Sequence, residues 1–287
     1  MERNNQEIMV SVCCLTYNHE KYIAQAVEGF VMQQTNFPIE IIIGEDCSTD
    51  RTRQILDGYA SRYPDKIRLI TSPSNVGANN NAVRVFKAVR GKYIAICDGD
   101  DYWTDPLKLQ KQVDFLEQNE AFVMCGHYSK KISENNEIHY MNFNPTPLIY
   151  SFNDVMTENK TEISTLTIVF RNSAEIKKMY TADWFLKCNA PDRFIKLYTT
   201  FVSGKGIYIL PETMSCYRMH PGGIWSSLKP RSLKQKELHD LHLIIKIFKY
   251  SWNQRIKLFA LYIKKYFLFE VKERSLQGAL GTMRTIL

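Results

Sequence analysis

The sequence predicts an α/β fold, a mostly parallel sheet flanked by helices, followed by a helical C-terminal extension. Three observations carry this. Over the first ~130 residues, short apolar runs alternate with amphipathic stretches of helical length, the pattern of βαβ units. Several of the runs stop abruptly at polar or acidic residues. The last stretch, from Leu233 to Val271, is dominated by Leu, Ile, Phe and Lys at three- and four-residue steps.

The elements follow in order. Ile8–Leu15, rich in Val and Cys, reads as a buried strand, and His19–Gln34 as a helix with Ile23, Ala26, Val27, Phe30 and Val31 on one face. Pro38–Gly44 is a second strand, Ser48–Tyr63 a helix, Lys66–Ile70 a third strand and Ala78–Val89 a helix. Lys92–Cys97 is the fourth strand. Pro106–Asn119 is a helix whose proline sits in the first turn. Strands are expected over Phe122–Ile132, Ser164–Phe170 and Gly206–Leu210, a loop or hairpin over Ser133–Tyr150, and a helix over Ala190–Ser203 ending at Gly204.

Composition bounds the function. The 287 residues are 45% hydrophobic, enough for a sizeable core and too apolar for a disordered chain. No apolar stretch is long enough to span a bilayer, and the polar Met1–Glu7 lacks the apolar run of a signal peptide, so a cytoplasmic location is expected. Seven cysteines, an odd number without C-x-x-C spacing, read as reduced core residues rather than disulfides or zinc ligands. The formal charge of +7 is uneven. Met1–Leu228 holds 24 Lys+Arg against 26 Asp+Glu, whereas Lys229–Arg274 holds 12 against 4. The extension therefore carries the basicity, and an anionic partner is expected for it.

Chemistry is expected where the strands end, because ligands of such sheets bind beyond the strands' carboxyl ends. The strongest signal is Cys97-Asp98-Gly99-Asp100-Asp101-Tyr102-Trp103. Three carboxylates within four residues repel one another unless something positive lies between them. A divalent cation with oxygen ligands meets that need, and Mg²⁺ or Mn²⁺ completes its shell with phosphates and water. An EF-hand is excluded, because its fifth, sixth and twelfth positions would be Tyr102, Trp103 and Leu109. Ile43-Gly44-Glu45-Asp46-Cys47-Ser48-Thr49-Asp50 places acids where a base or ribose would bind, although Ser48 or Thr49 could equally cap the helix. Thr16-Tyr17-Asn18 offers polar groups to flank a base. Asn75-Val76-Gly77-Ala78-Asn79-Asn80-Asn81 offers amides beside a helix N-terminus.

In this order and spacing the motifs resemble those of the family 2 glycosyltransferases of GT-A fold, over residues 8–228, and especially bacterial members that build surface polysaccharides. The resemblance implies a Rossmann-like GT-A domain over 1–228, with a nucleotide-sugar half to about 130 and an acceptor half over 131–228. Residues 229–287 are then a basic amphipathic extension. It implies that Thr16, Tyr17, Asn18, Glu45, Asp46, Asn75 and Asn80 serve the nucleotide, that Asp98, Gly99 and Asp100 meet metal and diphosphate, and that Asp101 lies near the donor sugar. Ala190-Pro191-Asp192-Arg193 maps Asp192 onto the catalytic base. Its neighbours depart from the family pattern, and Asp183 of Asp183-Trp184 is a rival. Tyr217-Arg218-Met219-His220 and Trp225-Ser226 fit a mobile segment over the diphosphate, with Arg218 and Trp225 on the donor and His220 on phosphate or metal.

The implied reaction is metal-dependent inverting transfer from a nucleotide diphosphate sugar, a UDP-sugar, to a hydroxyl of a bacterial glycan or lipid-linked acceptor. Two rivals stand beside it. A sugar-phosphate nucleotidyltransferase would show a glycine-rich loop after the first strand, where Thr16-Tyr17-Asn18-His19 has none. The other is a non-catalytic scaffold binding glycan or membrane. In the tail, Leu241, Ile245, Phe248, Trp252, Ile256, Phe259, Ile263 and Phe267 form a stripe beside Lys246, Lys249, Lys257 and Lys264. That is one basic helix, or two joined near Ser251–Asn253. It packs on the domain, docks on the inner face of the plasma membrane, or pairs two chains. No nucleic-acid motif accompanies its charge.

Overall fold

The computed structural model describes residues 7–158, 162–223 and 228–287. Four strands, β1 (Val10–Thr16), β2 (Ile39–Glu45), β3 (Ile67–Thr71) and β4 (Tyr93–Ile96), run parallel. They alternate with α1 (Ile23–Val31), α2 (Thr52–Arg62) and α3 (Ala78–Lys87). The short β5 (Tyr102–Trp103) and α4 (Lys108–Gln118) lead to β6 (Phe122–Ser133). Then come β7 (Ile138–Tyr140), β8 (Leu148–Tyr150), α5 (Phe152–Met156), β9 (Val169–Arg171), α6 (Ala174–Lys177), α7 (Pro191–Ser203) and β10 (Gly206–Met219). One sheet runs β3-β2-β1-β4-β9-β6-β10-β5. In it β9 is antiparallel to β4 and β6, and β10 is parallel to β6.

The strand period of two explains why both faces are covered. Val10, Val12 and Cys14 of β1, with Ile41 and Ile43 of β2, enter one core beside Ile23, Val27 and Phe30 of α1. Cys13 and Ile42, the residues between them, enter the other beside Ala82, Val85 and Phe86 of α3. A sheet buried on both faces fixes its register, since a one-residue slip would exchange the two cores.

The second half departs from expectation in three places. The strand expected over Ser164–Phe170 begins as a 3₁₀ turn at Thr165–Thr167, because the Thr167 hydroxyl and backbone N–H both donate to the Ser164 carbonyl. The strand expected to stop at Leu210 continues to Met219. The Ser133–Tyr150 stretch does form a hairpin, one of the two readings its sequence allowed, with β7 antiparallel to β6 and β8 added beside β10. The tail forms four helices: α8 (Pro230–Ile247), α9 (Trp252–Lys265), α10 (Phe267–Glu273) and α11 (Leu276–Ile286). The break falls at Ser251, which forms a capping box with Gln254. Leu241, Ile244, Phe248, Leu258 and Tyr262 join the core cluster of Phe194, Leu197 and Ile207, so the tail is packed onto the sheet domain. Among the described residues no helix is long and apolar enough to cross a membrane.

One buried charge has a measurable consequence. Lys108 is fully buried on α4. Its Nζ donates to Gln112 Oε1 at 2.8 Å and lies 4.0 Å from the Trp103 ring centre. Burial pulls this ammonium down to about 7, against the opposing pull of Cys97 and Cys125. Between that value and the ordinary lysine range, the unfolded chain binds the proton and the folded chain does not. This site's contribution to stability therefore rises with pH from about 7 to about 10. Lys108→Met is expected to lose that rise and to gain stability at neutral pH. Thermal unfolding across this window measures it, and equal slopes in both proteins would refute it.

Candidate active site

The carboxyl ends of β1, β2 and β4 converge where the sequence runs into polar residues. After β4 the chain turns through Asp98-Gly99-Asp100-Asp101 against the end of β1, with Gly99 N–H donating to the Leu15 carbonyl at 2.9 Å. A Cβ on Gly99 would sit 2.8 Å from both Thr16 Oγ1 and Ile23 Cδ1, so only glycine allows this approach.

Beside this turn lies a cavity of about 220 Å³ lined by Thr16, Tyr17, His19, Asp46, Asn75, Gly77, Ala78, Asn81, Asp98 and Asp100. Asp46 is buried, and its two carboxylate oxygens accept the backbone N–H groups of Val76 and Gly77 at 2.8 and 2.9 Å. It thereby shapes the wall formed by the 75–77 loop, while each oxygen keeps a second lone pair for a ligand. Thr16 Oγ1 is buried without a hydrogen-bond partner among the described residues.

A second cavity, of about 190 Å³, shares Asp98 and Asp100 with the first. It adds Asp101, Thr165, Asn189, Asp192 and Tyr217, with an apolar floor of Ala82, Phe86, Ile96 and Ile195. Four carboxylates thus border one space. Burial and the neighbouring Asp100 and Asp192 charges push the Asp98 carboxyl up, and burial and Asp100 push Asp101 up. Burial also raises Asp100, but a His220 hydrogen bond and the His19 charge outweigh it and hold Asp100 low. His220 Nε2 lies 3.0 Å from Asp100 Oδ2, and His19 Nε2 lies 3.9 Å from the same oxygen. Asp192, in the first turn of α7, is raised by burial. It is lowered further by the Lys196 ammonium at 2.8 Å and by Arg193, so it stays ionised.

Several expected residues sit elsewhere. Glu45 is buried but accepts the Ser48 N–H at 2.6 Å, tying the turn before α2 rather than facing either cavity. Asn18 adopts φ +56° and braces the same turn, its Oδ1 accepting from Thr49 N–H and its own N–H donating to Ser48 Oγ. Asn80 is exposed and donates to the Val76 carbonyl, whereas its neighbours face inward. Asn81 borders the first cavity and Asn79 the second. Arg218 lies at the end of β10, not on a loop. Its guanidinium is held between the rings of Tyr22 and Tyr102, its Nη2 on Gln25, and its N–H donates to Asp101 Oδ1. Asp183 is exposed and borders neither cavity. Trp225 lies outside the described residues.

Thr165 and Asn189 are lining residues that the sequence did not single out, and of the three consecutive asparagines the two that line the cavities are Asn79 and Asn81 rather than Asn80. The two asparagines carried a usable signal. Asn81 precedes Ala82 and lies four residues before Val85, on the helical face that the apolar period assigns to the sheet.

The chain is similar to known proteins on three counts. The profile of glycosyl transferase family 2 matches residues 11–179. A Mycobacterium bovis protein is 37% identical over 226 residues, 76% of this chain, and the chain spans only 61% of that relative's length. A Bacillus subtilis protein named for teichuronic acid biosynthesis, TuaG, is 36% identical over 43% of this chain and 48% of its own. Among solved structures, Staphylococcus aureus TarS 1–349 in complex with UDP-GlcNAc superposes with a TM-score of 0.68 at 18% identity, covering 98% of this chain and 82% of that one. The mannosyltransferase PcManGT from Pyrobaculum calidifontis, in complex with GDP-Man and Mn²⁺, gives 0.63 at 14%, covering 98% and 80%. At these identities the two likenesses speak for the GT-A fold alone. The family profile, covering more than half of the sequence, goes further: this chain belongs to glycosyl transferase family 2.

Proposed function

We propose that the chain transfers a sugar from a UDP-sugar to a hydroxyl of a bacterial surface glycan or lipid-linked acceptor, with inversion. The observation that carries this reading is the pair of cavities meeting at Asp98 and Asp100, with Asp192 across the second. The first cavity has the amide-rich wall and the carboxylate, Asp46, that a uracil and ribose would use. The second has room for a sugar and an ionised base. A single base with direct displacement inverts the anomeric centre. The B. subtilis relative named for teichuronic acid biosynthesis, and TarS bound to UDP-GlcNAc, favour a cell-surface acceptor and a UDP donor.

The residues also fit a divalent cation. Asp98 Oδ1 is buried without a partner among the described residues, and three clustered carboxylates need a positive charge between them. Among the described residues no three His, Cys, Asp or Glu side chains are arranged to hold a metal by themselves, so donor phosphates would complete the shell. Asp98, Asp100 and His220 would hold Mn²⁺ or Mg²⁺, which as a Lewis acid offsets charge on the leaving diphosphate. The chain's own part is to bind the nucleotide along β1, β2 and α3, to align the sugar over Asp101, and to accept the acceptor's proton at an Asp192 oxygen.

Thermal unfolding with a panel of nucleotides and nucleotide sugars, with and without Mn²⁺, tests this reading. A ligand at ~100 times its Kd adds ~2.7 kcal/mol to the folded state. Stabilisation by UDP and one UDP-sugar is expected only with metal, and is expected to vanish in Asp100→Ala. No shift with any nucleotide would overturn the donor assignment, and a shift with GDP alone would move it to a GDP-sugar.

A further inference from the structure

The outward face of α9 is chemically unlike the rest of the tail. At 100° per residue, Trp252, Ile263, Ile256, Ala260, Lys264 and Lys257 share one arc about 140° wide. All six are exposed, with Trp252 at 63%, Ile256 at 48% and Ile263 at 40%. Leu258, Leu261 and Tyr262, on the opposite arc, are buried against the domain. Packing therefore accounts for half of the helix's apolar residues and leaves Trp252, Ile256 and Ile263 unaccounted for. Along the lysine edge of this arc runs a cavity of about 470 Å³, lined by Thr157, Glu158, Lys257, Lys264 and Lys265. Glu158 is already engaged by Lys265 and Arg193. Leu268, at the start of α10, is a further 72% exposed.

We propose that this face docks on an anionic lipid bilayer. An apolar ridge of Trp and Ile enters the headgroup layer, and the adjoining lysines meet lipid phosphates. The +8 balance of Lys229–Arg274 supplies the long-range attraction. A second copy of the chain fits this face less well. A self-complementary contact would bring the Lys257–Lys264 edge against its own symmetry mate, and like charges oppose that. The docking does not depend on the identity of the donor.

Sedimentation of the full chain with phosphatidylcholine vesicles, with and without phosphatidylglycerol, tests the proposal. Binding is expected with phosphatidylglycerol and is expected to weaken as salt rises. Each lysine near the surface is worth about fivefold in affinity, so Lys257→Glu/Lys264→Glu should weaken binding at least ~25-fold. Ile256→Ser/Ile263→Ser should weaken it while preserving the lipid-charge preference. Both variants are expected to unfold at the parent temperature, since all four side chains face solvent. Vesicle binding that persists unchanged in both variants would overturn the proposal, as would equal binding to uncharged vesicles. Displacement by millimolar-scale inorganic phosphate would point to a soluble phosphate rather than a bilayer. A dimer that the Ser substitutions dissociate, with no vesicle binding, would assign the face to a second copy.

Discussion

Asp192→Asn is expected to lower kcat by about 10²–10⁴-fold, the range for loss of a positioned general base, with nucleotide affinity nearly unchanged. The substitution keeps the shape of the side chain and removes its capacity to accept a proton. Asp192 borders the second cavity with Asp98, Asp100 and Asp101 and does not border the first, the one proposed for the nucleotide. Lys196, its ion-pair partner, keeps the Ile163 carbonyl as an acceptor at 3.2 Å, so the fold should tolerate the change. The same pair sets the pH dependence. Partial burial raises the carboxyl, but Lys196 and Arg193 lower it below the ordinary aspartate range. The proposed base is therefore ionised throughout neutral pH, and protonation removes it only in acid below that range. Initial rates at saturating donor, with nucleotide Kd measured separately, test both statements. Asp183→Asn is the matched control. Asp183 is exposed and outside both cavities, so its substitution should be silent. An inactive Asp183→Asn beside an active Asp192→Asn would transfer the role.

The alternation of strands and helices in the first half was legible because β1, β2 and β4 are buried on both faces and the helices on one. Burial of this kind writes itself into local periodicity. Asp98, Asp100 and Asp46 were legible for a related reason, since a parallel sheet gathers the ends of its strands and acids there stand out against apolar runs. What local pattern does not carry is partnership across distance. Arg218 looked like a loop residue because nothing nearby in sequence announces that β10 continues to Met219 beside β6, or that Tyr22 and Tyr102 will enclose its guanidinium. Nothing near Lys108 in sequence announces that Trp103 and Gln112 receive its ammonium in the interior. Glu45 and Asn18 have the residue types of a binding site and are used to hold a turn, which is the alternative any polar residue at a strand end offers. The tail stripe was read correctly as apolar at helical spacing. Only packing shows that the stripe is buried at Leu241 and Phe248 but exposed at Trp252, Ile256 and Ile263, where Leu258, Leu261 and Tyr262 face the domain instead.

The tail also reaches the candidate base, and Asp240→Asn measures by how much. Asp240 is 1% exposed on α8. Its Oδ1 accepts the Asn189 N–H at 2.8 Å and the Asn189 Nδ2 at 2.9 Å, and its Oδ2 accepts the Ala190 N–H at 2.9 Å. These two residues lead directly into α7, whose second residue is Asp192. From the other side, Asn79 Nδ2 faces the Phe185, Leu186 and Cys188 carbonyls at 2.7 to 3.3 Å. The segment before the proposed base is thus held between α3, which borders the proposed nucleotide cavity, and α8 of the extension. Asparagine at 240 can accept at one oxygen only and turns an N–H toward a second donor. One or two buried donors are then left unsatisfied, at about 1–3 kcal/mol each. The start of α7 should relax, and a displacement of about 1 Å at a reacting group costs on the order of 10²-fold in rate. The expected result is a kcat lowered by about that factor, with UDP affinity retained because Asp46, Asn75 and Asn81 are untouched. Asp240→Glu, which keeps both acceptor oxygens, should recover part of the rate. A fall in stability with kcat unchanged would make Asp240 a packing residue alone. A joint loss of kcat and nucleotide binding would show that α8 supports the whole domain rather than the turn that carries Asp192.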